Sequence, residues 1–426
     1  MYARNPGSIR RLAAEMAAGS LTSQALVQRC LDRIAEVDGA VQAWRLVLAE
    51  QALASAAEKD AERRAGLPCG PLHGIPFGVK DVIDLAGHVT RANSRSRESA
   101  LPATADATVV AALKAAGAVL LGKLHTTEYA WYSSIPPTRN PYDLSRTPGG
   151  SSAGSGAAVA AGTVPMALGT QTAGSVNRPA AYTGVGAFKP STLAVGGAGV
   201  VPLAPSFDTV GAFGATAADA ALLAAGYAPA ALGLPGTAPT APRMVLLRHA
   251  LPVAPHAEAA VQALGARLQA AGVPLRHAPA PVPLAEVAAL HRVVLLAEVG
   301  RTHARLPPEL LDPGLAADIA TGQAIPAAEY LAALAALARL RGRFWAGFAP
   351  GEMLLLPAAP DVAPNDGTTG DPSFVIPLTA LCGPVATLRA GLHQGLPLGA
   401  LLTMAPGQDA ALAGFLLGAT GTELEL

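Results

Sequence analysis

The stretch from Thr147 to Asn177 limits the possible folds of this chain more than any other segment, because it contains no charged residue. It is long enough to cross a bilayer, yet it holds seven glycines and two prolines. Backbone exposed to lipid needs continuous helix to pair its polar groups, and this composition does not supply one. We therefore expect the stretch to lie deep inside a soluble fold, around a functional site.

Charge and cysteine content exclude several functional classes. The 426 residues include 30 Lys and Arg against 30 Asp and Glu, so no basic surface for nucleic acid or anionic lipid is indicated. The three cysteines, Cys30, Cys69 and Cys382, form no C-x-x-C pair, which argues against a zinc site and a disulfide framework. The N-terminus lacks the apolar run of a signal peptide. The expectation is a cytoplasmic protein with no metal, cofactor, nucleic-acid or membrane partner.

Hydrophobic periodicity predicts alternating helices and strands. Ser8 and either Thr22 or Ser23 are candidate helix N-caps. Helical patterns cover 40–65, 106–117, 256–272 and 327–348, and strand patterns cover 75–81, 118–124, 164–171, 184–190, 243–248 and 352–359. Pro- and Ala-rich segments near 228–242 and 276–284 are linker-like. Alternating elements with short connections favour one large α/β domain in which helices cover a sheet.

The segment GGSSAGSG, residues 149–156, raises the question of a nucleotide site or a nucleophile. A P-loop needs lysine where Ser155 stands, and a dinucleotide loop needs Gly or Ala where Val159 stands. Residues 150–154 do match the G-x-S-x-G elbow with Ser152 at its centre. That elbow requires a strand just before it, whereas NPYDLSRTP contains two prolines. An esterase that uses Ser152 stays as an alternative.

Histidine-dependent catalysis is not indicated by the spacing of any histidine. His73, His125 and His393 lie near Gly-rich or strand-end segments, but nothing ties them to a serine, and most histidines are structural. What remains is Lys80 at the end of an apolar strand, the GGSS loop, and Ser175 in TQTAGSVNRP.

These pieces resemble the amidase signature family. The matching segments are GPLHGIPFGVKDVID (70–84), GAVLLGKLHTTEYA (117–130), TPGGSSAGSGAAVAAG (147–162), PMALGTQTAGSVNRPAAYTGVGAFKPS (165–191) and FDTVGAFG (207–214), with weaker matches at 354–364 and 381–402. The resemblance implies a mixed twisted sheet covered by helices on both faces. It also implies one domain over 1–426, made of an N-terminal helical segment (1–65), the signature core (66–215), a variable helical segment (216–345) and a C-terminal part of the core (346–426).

The resemblance assigns the catalytic roles to three residues. The lysine of the family's Lys–Ser–Ser arrangement falls on Lys80, the first serine of its GGSS loop on Ser151, and its nucleophile on Ser175. A cis peptide bond is expected between Gly150 and Ser151. The backbone N–H groups of Thr172, Ala173, Gly174 and Ser175 are expected to bind the oxyanion, although many family members have glycine where this chain has Ala173.

Amide hydrolysis without histidine requires a neutral lysine as the base. An ordinary lysine has a pKa of about 10.4, which burial can lower by several units. The apolar IPFGV before Lys80 favours such burial, whereas the neighbouring Asp81 would favour the charged form. If residues 75–81 form a strand, Asp81 points to the opposite face. The alternatives are that Lys80 is an ordinary surface or salt-bridged lysine and that Ser175 is only a turn serine.

Arg178 is the best indication of the substrate. An arginine at this place resembles malonamidase-type members, where it grips a substrate carboxylate, and its fork suits bidentate binding. A small amide or ureide bearing a carboxylate is therefore expected. An internal carboxylate partner for Arg178 is the alternative. Asn177 departs from the apolar residue usual there, and His125, Thr127 and Tyr132 are further candidates for the pocket wall.

Two other functions stay open. One is an amidotransferase-type subunit that releases ammonia to a partner, although such subunits usually have two glycines in the oxyanion turn. The other is a non-catalytic binding or assembly module, against which the intact Lys80, Ser151 and Ser175 argue. A small-molecule amide is the expected partner, and a homodimer is left open.

Overall fold

One mixed sheet organises the protein. The computed structural model describes residues 2–232 and 243–418, and within them eleven strands join a single sheet. The strands are β1 (Trp44–Val47), β2 (Pro76–Lys80), β3 (Val119–Leu124), β4 (Met166–Gln171), β5 (Gly186–Lys189), β6 (Thr209–Gly214), β7 (Arg243–Arg248), β8 (Leu275–Pro279), β9 (Glu352–Pro357), β10 (Val385–His393) and β11 (Leu396–Thr403).

The strand order is β1-β3-β2-β4-β6-β5-β10-β11-β9-β7-β8. Two groups, β3-β2-β4 and β9-β7-β8, are parallel, and the other pairings are antiparallel. Every residue of β2, β4, β6 and β9 is buried, as expected for strands whose two faces are both covered. The predicted α/β class with a mixed sheet flanked by helices is confirmed.

Fourteen helices lie within the described residues, and six of them match helical patterns predicted from the sequence. The fourteen helices are α1 (Ile9–Ala17), α2 (Ser23–Val41), α3 (Ala49–Arg64), α4 (Thr108–Ala115), α5 (Ala153–Ala160), α6 (Asn177–Thr183), α7 (Ala217–Tyr227), α8 (Pro229–Leu232), α9 (Pro255–Ala270), α10 (Leu284–Thr302), α11 (Pro313–Ala324), α12 (Ala327–Ala346), α13 (Val375–Ala380) and α14 (Asp409–Gly418). The hydroxyls of Ser8 and Thr22 accept from Arg11 N–H and Ala25 N–H, so both predicted N-caps are confirmed.

Two predictions about local structure are wrong. The helical pattern over 40–65 contains strand β1 before α3 begins at Ala49, so the segment 1–65 is not purely helical. The linker-like stretch 276–284 contains most of strand β8 and the start of α10. Residues 233–242 of the other linker-like stretch lie outside the described residues.

The charge-free segment is interior, as predicted. It contains α5 and β4, all of whose residues are buried. Among the described residues, no helix combines the length and the hydropathy that spanning a membrane requires. Small residues are needed in α5 because its neighbours lie very close. A Cβ on Gly154 would lie 2.5 Å from the carbonyl oxygen of Ala43, and one on Gly156 would lie 2.9 Å from Thr183 Oγ1.

Helices α10 and α11 also approach closely through glycine. A Cβ on Gly322 would lie 1.9 Å from the carbonyl oxygen of Leu296, so the helices must separate to admit a methyl group. We expect Gly322→Ala to lower the free energy of unfolding by about 3 kcal/mol or more, because overpacking a rigid contact is costly. Gly342→Ala in the exposed part of α12 is the control, since nothing lies within 4 Å of its Cβ.

Gly342→Ala should be neutral or stabilising by up to about 1 kcal/mol. Thermal and denaturant unfolding of the two variants measures the difference. Equal stabilities would show that α10 and α11 are not in the close contact described.

Candidate active site

Lys80 ends strand β2 in the interior of the protein. Parallel pairing aligns Val79 with Leu168 of β4, which brings Lys80 beside the end of that strand. Its Nζ donates to Ser151 Oγ at 2.7 Å and to Thr170 Oγ1 at 2.8 Å. The side chain is fully buried, so Lys80 is not a surface lysine.

The environment of Lys80 favours a neutral amine. Burial lowers the pKa of Lys80 from its ordinary value to about 7, and the carboxylate of Asp208 offsets part of that shift. Asp81 forms an ion pair with Lys123 at 2.7 Å, on the adjacent strand. The Asp81 carboxylate is therefore paired with Lys123 and does not hold Lys80 in its charged form.

The GGSS loop brings Ser151 to Lys80. The Gly150–Ser151 peptide bond is cis, as expected from the resemblance. Both glycines are required there: Gly149 has φ +81°, and a Cβ on Gly150 would lie 2.6 Å from Thr369 Cγ2. Ser151 is the only serine of the loop whose hydroxyl contacts Lys80 within the described residues.

Ser152 and Ser155 support the loop. Ser152 Oγ donates to the carbonyl of Thr170 at 3.2 Å and accepts from Thr170 N–H at 3.3 Å, and Ser155 Oγ donates to the carbonyl of Leu168 at 2.9 Å. Both side chains are fully buried. Residues 141–150 form no strand, so the strand required before a nucleophile elbow at Ser152 is missing from this described segment.

Ser175 lies in the turn between β4 and α6, on the wall of a cavity. Its carbonyl accepts from Ser152 N–H at 3.4 Å, which ties the turn to the GGSS loop. In the part of the chain that the structure describes, the backbone N–H groups of Ala173, Gly174 and Ser175 donate to no protein acceptor. Three free donors therefore lie next to the Ser175 hydroxyl.

The turn is anchored by buried polar side chains. Gln171 Oε1 accepts from the N–H groups of Val176 and Asn177 at 2.8 and 3.0 Å. Asn177 accepts from Gln171 Nε2 and donates to Thr387 Oγ1 on β10. The unusual asparagine beside Arg178 is thus fully buried but hydrogen-bonded, which is the condition for a polar side chain inside a protein.

Arg178 forms no ion pair with any carboxylate in the part of the chain that the structure describes. Its Nη1 donates to the carbonyl of Gly370 at 2.6 Å, and its Nη2 donates to the carbonyl of Gly150 at 2.7 Å and to Thr369 Oγ1 at 3.0 Å. Its buried Nε has no partner among the described residues. Burial lowers the pKa of Arg178 to about 10, so the guanidinium keeps its charge at neutral pH. The cation at the cavity wall therefore has no carboxylate of the described residues in direct contact, although the Asp371 carboxylate is close enough to oppose the lowering of its pKa.

The cavity has a volume of about 730 Å³, within the usual range for small-molecule sites. Its wall combines Thr172, Ala173 and Ser175 with Arg178, apolar side chains and loop 367–373. The apolar side chains are Trp131, Tyr132, Ile135, Leu203, Leu295 and Ile376. Among the described residues, no cluster of three or more His, Cys, Asp or Glu could hold a metal ion.

Of the remaining candidates from the sequence, one lines the cavity and the others do not. Tyr132 lines the cavity, whereas His125 and Thr127 are not part of its wall. His73 contacts the carbonyl of Lys59, and His393 stacks on His256 at 3.7 Å between ring centroids. None of the three histidines considered contacts Lys80, Ser151 or Ser175.

Thr170, Asp208, His291 and Thr379 are among the residues at the site that were not identified from the sequence. The sequence could have indicated Asp208, because this residue lies in the motif FDTVGAFG. Its carboxylate accepts from Thr172 Oγ1 at 2.6 Å. His291 and Thr379 contact the oxyanion turn from more than 100 residues away, and no local pattern marks them.

Comparison with known proteins gives consistent matches. A family model described as Amidase matches residues 25–231. A glutamyl-tRNA(Gln) amidotransferase subunit from Renibacterium salmoninarum is 46% identical over 189 residues, which cover 43% of this chain. The corresponding subunit from Acidothermus cellulolyticus is 47% identical over 185 residues, which cover 42%. The aligned region spans 36% of the length of each of these two relatives.

Solved structures match over nearly the whole chain. A chain from a vestigial protein complex, described with the evolutionary origins of an s-triazine catabolic enzyme, has a TM-score of 0.88, 29% identity, and coverage of 99% of this chain and 100% of that one. A peptide amidase from Stenotrophomonas maltophilia has a TM-score of 0.81, 28% identity, and coverage of 96% and 95%. With the fold and the Lys80–Ser151 contact, these matches show that the chain is similar to amidases, in sequence over residues 25–231 and in fold over nearly its whole length.

Proposed function

We propose that this protein hydrolyses the C–N bond of a small amide through an acyl-enzyme on Ser175. The observation that carries the proposal is the buried Lys80, whose Nζ lies 2.7 Å from Ser151 Oγ and whose pKa is lowered to about 7. A lysine with that pKa is largely neutral near pH 7.5 and can act as a general base.

The proton path runs from Ser175 through Ser151. Ser175 Oγ attacks the amide carbon while its proton passes to Ser151 Oγ, and the proton of Ser151 passes to Lys80 Nζ. When the C–N bond breaks, Ser151 delivers a proton to the leaving nitrogen and recovers one from Lys80. Water then attacks the acyl-enzyme by the same path in reverse, which releases the acid and restores Ser175.

The developing negative charge is bound by the oxyanion turn. The N–H groups of Ala173, Gly174 and Ser175 are the free donors closest in sequence to the nucleophile. Preorganised backbone donors of this kind stabilise a tetrahedral oxyanion because they need no reorientation during the reaction. Ala173 keeps its N–H donor. It carries a methyl group where the usual glycine has a hydrogen, and this methyl group narrows the turn.

Arg178 supports a substrate that carries a carboxylate. Among the described residues no carboxylate forms an ion pair with it, and two of its five N–H donors are unused. A carboxylate close to the scissile amide would supply the missing negative charge.

The substrate proposal is tested with paired amides that differ only in a carboxylate, such as malonamate and malonamide, and with carboxylated ureides. We expect the wild type to prefer the carboxylated member. Arg178→Lys should reduce that preference by about 10- to 100-fold, because hydrogen bonds to charged groups contribute about 1.5–3 kcal/mol and lysine lacks the fork.

The ratio of kcat/KM for the two amides is the measurement, because a general loss of folded enzyme cancels in it. Arg292→Lys is the control, since Arg292 lies on the same cavity wall but is mostly exposed. An unchanged ratio in Arg178→Lys would remove the carboxylate from the proposal and leave the amidase.

A second candidate is an ammonia-releasing component of an amidotransferase, which the 46% identity to an amidotransferase subunit over 189 residues favours. Ammonia release from glutamine by the chain alone, measured beside the amide panel, separates the two. Exclusive turnover of glutamine would favour the amidotransferase component. An absence of turnover and of covalent labelling would favour a non-catalytic module.

A further inference from the structure

His291 contacts the oxyanion turn from a part of the chain that carries no family motif. It lies on α10, and its Nε2 donates to the carbonyl of Thr172 at 2.9 Å. The side chain is buried, and its ring packs on Phe207 with 4.3 Å between ring centroids. Because a carbonyl oxygen can only accept, Nε2 carries the proton. The ring position and the tautomer are both fixed.

The hydrogen bond of His291 also fixes a group on the far side of the Thr172–Ala173 peptide. A trans peptide is planar, so its C=O and N–H point in opposite directions. A donor that holds the Thr172 carbonyl therefore sets the direction of the Ala173 N–H. That N–H is one of the free donors of the turn. If the Thr172 carbonyl is released, the peptide plane can rotate, and the direction of the Ala173 N–H is no longer fixed.

The neighbouring parts of the turn are held in the same manner. Thr379 Oγ1 donates to the carbonyl of Ala173 at 2.5 Å, which fixes the plane that carries the Gly174 N–H. The hydroxyl of Thr172 donates to Asp208 at 2.6 Å. His291 and Thr379, from two distant segments, thus hold two consecutive peptides. Asp208, from a third segment, holds the Thr172 side chain. His291 is the member supplied by the helical segment between β8 and β9.

The charge state of His291 suits this role. Burial lowers its pKa to about 4, against a smaller opposing effect of the Thr172 carbonyl. The ring is therefore neutral at neutral pH. A neutral donor holds the carbonyl without placing a second full positive charge beside Arg178 and the oxyanion turn.

We propose that His291 is a positioning residue that aims the Ala173 N–H at the oxyanion by holding the Thr172 carbonyl. This role rests on the proposed amidase function and adds to it a residue from outside the signature core. His291 also lines the cavity, but its Nε2 proton is engaged by the Thr172 carbonyl, so the proposed role acts through Thr172 rather than on the amide or on Ser175. Its effect should appear in transition-state stabilisation rather than in substrate binding, because the oxyanion forms only as Ser175 attacks.

The experiment compares His291→Gln, His291→Asn and His291→Leu with the wild type. Glutamine places an N–H donor as many bonds from Cα as Nε2 of histidine, whereas asparagine is one bond short and leucine has no donor. We measure kcat and KM for the best amide of the panel, melting temperature, and inhibition by phenylboronic acid, which forms a tetrahedral adduct with an active serine.

We expect His291→Asn and His291→Leu to lower kcat by about 10- to 100-fold, somewhat less than the loss of a whole oxyanion donor, with KM changed less than about threefold. Phenylboronic acid should bind more weakly by a similar factor. His291→Gln should retain kcat within about threefold of the wild type. His291→Asn keeps a polar side chain at this position. If His291→Leu does not fold, His291→Asn still tests whether the donor must reach the Thr172 carbonyl.

His303→Leu is the matched control, because His303 is also a buried histidine, follows α10 directly and packs on the ring of Tyr129 at 4.8 Å between centroids. It should lower the melting temperature and leave kcat unchanged. A wild-type kcat in folded His291→Asn and His291→Leu would overturn the positioning role, and so would a kcat loss in His303→Leu that matches theirs. A wild type that neither turns over amides nor binds phenylboronic acid would instead contradict the amidase function itself.

Discussion

Ser175→Ala is expected to lower kcat for amide hydrolysis by about 10⁴-fold or more, as removal of the nucleophile does in other serine hydrolases. The hydroxyl has no hydrogen-bond partner among the described residues and lies on the cavity wall, so its loss should leave the fold intact. A fluorophosphonate followed by peptide mapping should label Ser175 in the wild type and nothing in the variant.

Ser152→Ala is the matched control, because Ser152 is the serine of the G-x-S-x-G match. It is fully buried and both of its hydrogen bonds are to the backbone of Thr170. We expect this variant to lose about 1–2 kcal/mol of stability while it keeps its activity within about tenfold and its label at Ser175. A label on Ser152, or full activity in Ser175→Ala, would contradict the acyl-enzyme on Ser175.

The strands and helix ends that the sequence predicts correctly are those determined by local physics. Ser8 and Thr22 precede apolar helical patterns and act as N-caps. Strands β2, β3 and β4 are short apolar runs in which all or nearly all residues are buried. In these segments the hydrophobic pattern and the turn residues indicate the same structure, so a single sequence suffices.

Five strands were not predicted: β6, β10 and β11 lie inside the sheet, and β1 and β8 lie at its two edges. At the edges the local pattern does not indicate a strand. Strand β1 has four residues inside a longer helical pattern, and only the pairing with β3 makes it a strand. Strand β8 is mostly exposed and ends in proline, so it lacks the apolar run of a buried strand. Its strand conformation depends on pairing with β7, which is a contact between distant parts of the chain.

The residues of the site likewise separate into those that local motifs indicate and those that only contacts between distant segments bring together. Lys80, Ser151 and Ser175 lie within recognisable motifs, and the structure brings Lys80 and Ser151 into contact. The partners of Arg178 could not be predicted, because Thr369 and Gly370 follow it by more than 190 residues and their atoms act through the backbone as much as through side chains. An internal carboxylate was the alternative that the sequence left open, and carbonyl oxygens take that place instead.

The pH dependence of the reaction is the sharpest test of Lys80. Because the neutral amine is the proposed base and its pKa is about 7, kcat/KM should rise as pH increases through 7 and reach a plateau above it. At pH 5 the neutral fraction is about one hundredth, so activity should be about a hundredfold below the plateau. The profile should contain no histidine contribution, because no histidine contacts the Lys80–Ser151 pair in the described part of the chain.

Lys80→Met and Lys80→Arg should both lower kcat by about 10³- to 10⁴-fold and remove the rise near pH 7, because methionine has no basic nitrogen and arginine stays protonated. Lys123→Met is the control: Lys123 is a buried lysine on the neighbouring strand, but it is paired with Asp81. It should cost stability through the unpaired carboxylate and keep the rise near pH 7. A rise that persists in Lys80→Met would assign the base to another group.

Stability should change with pH in the direction that the same pKa requires. The unfolded chain holds the proton of Lys80 up to about pH 10.5, whereas the folded protein releases it near pH 7. Between these values the unfolded state binds more protons, so this group makes the folded state more stable as pH rises. Lys80→Met removes the cost of burying the charge and should be at least as stable as the wild type at pH 6, with the difference shrinking toward pH 10. Denaturant unfolding at the two pH values measures it. A folded but inactive Lys80→Met would therefore separate the loss of a base from the loss of the fold.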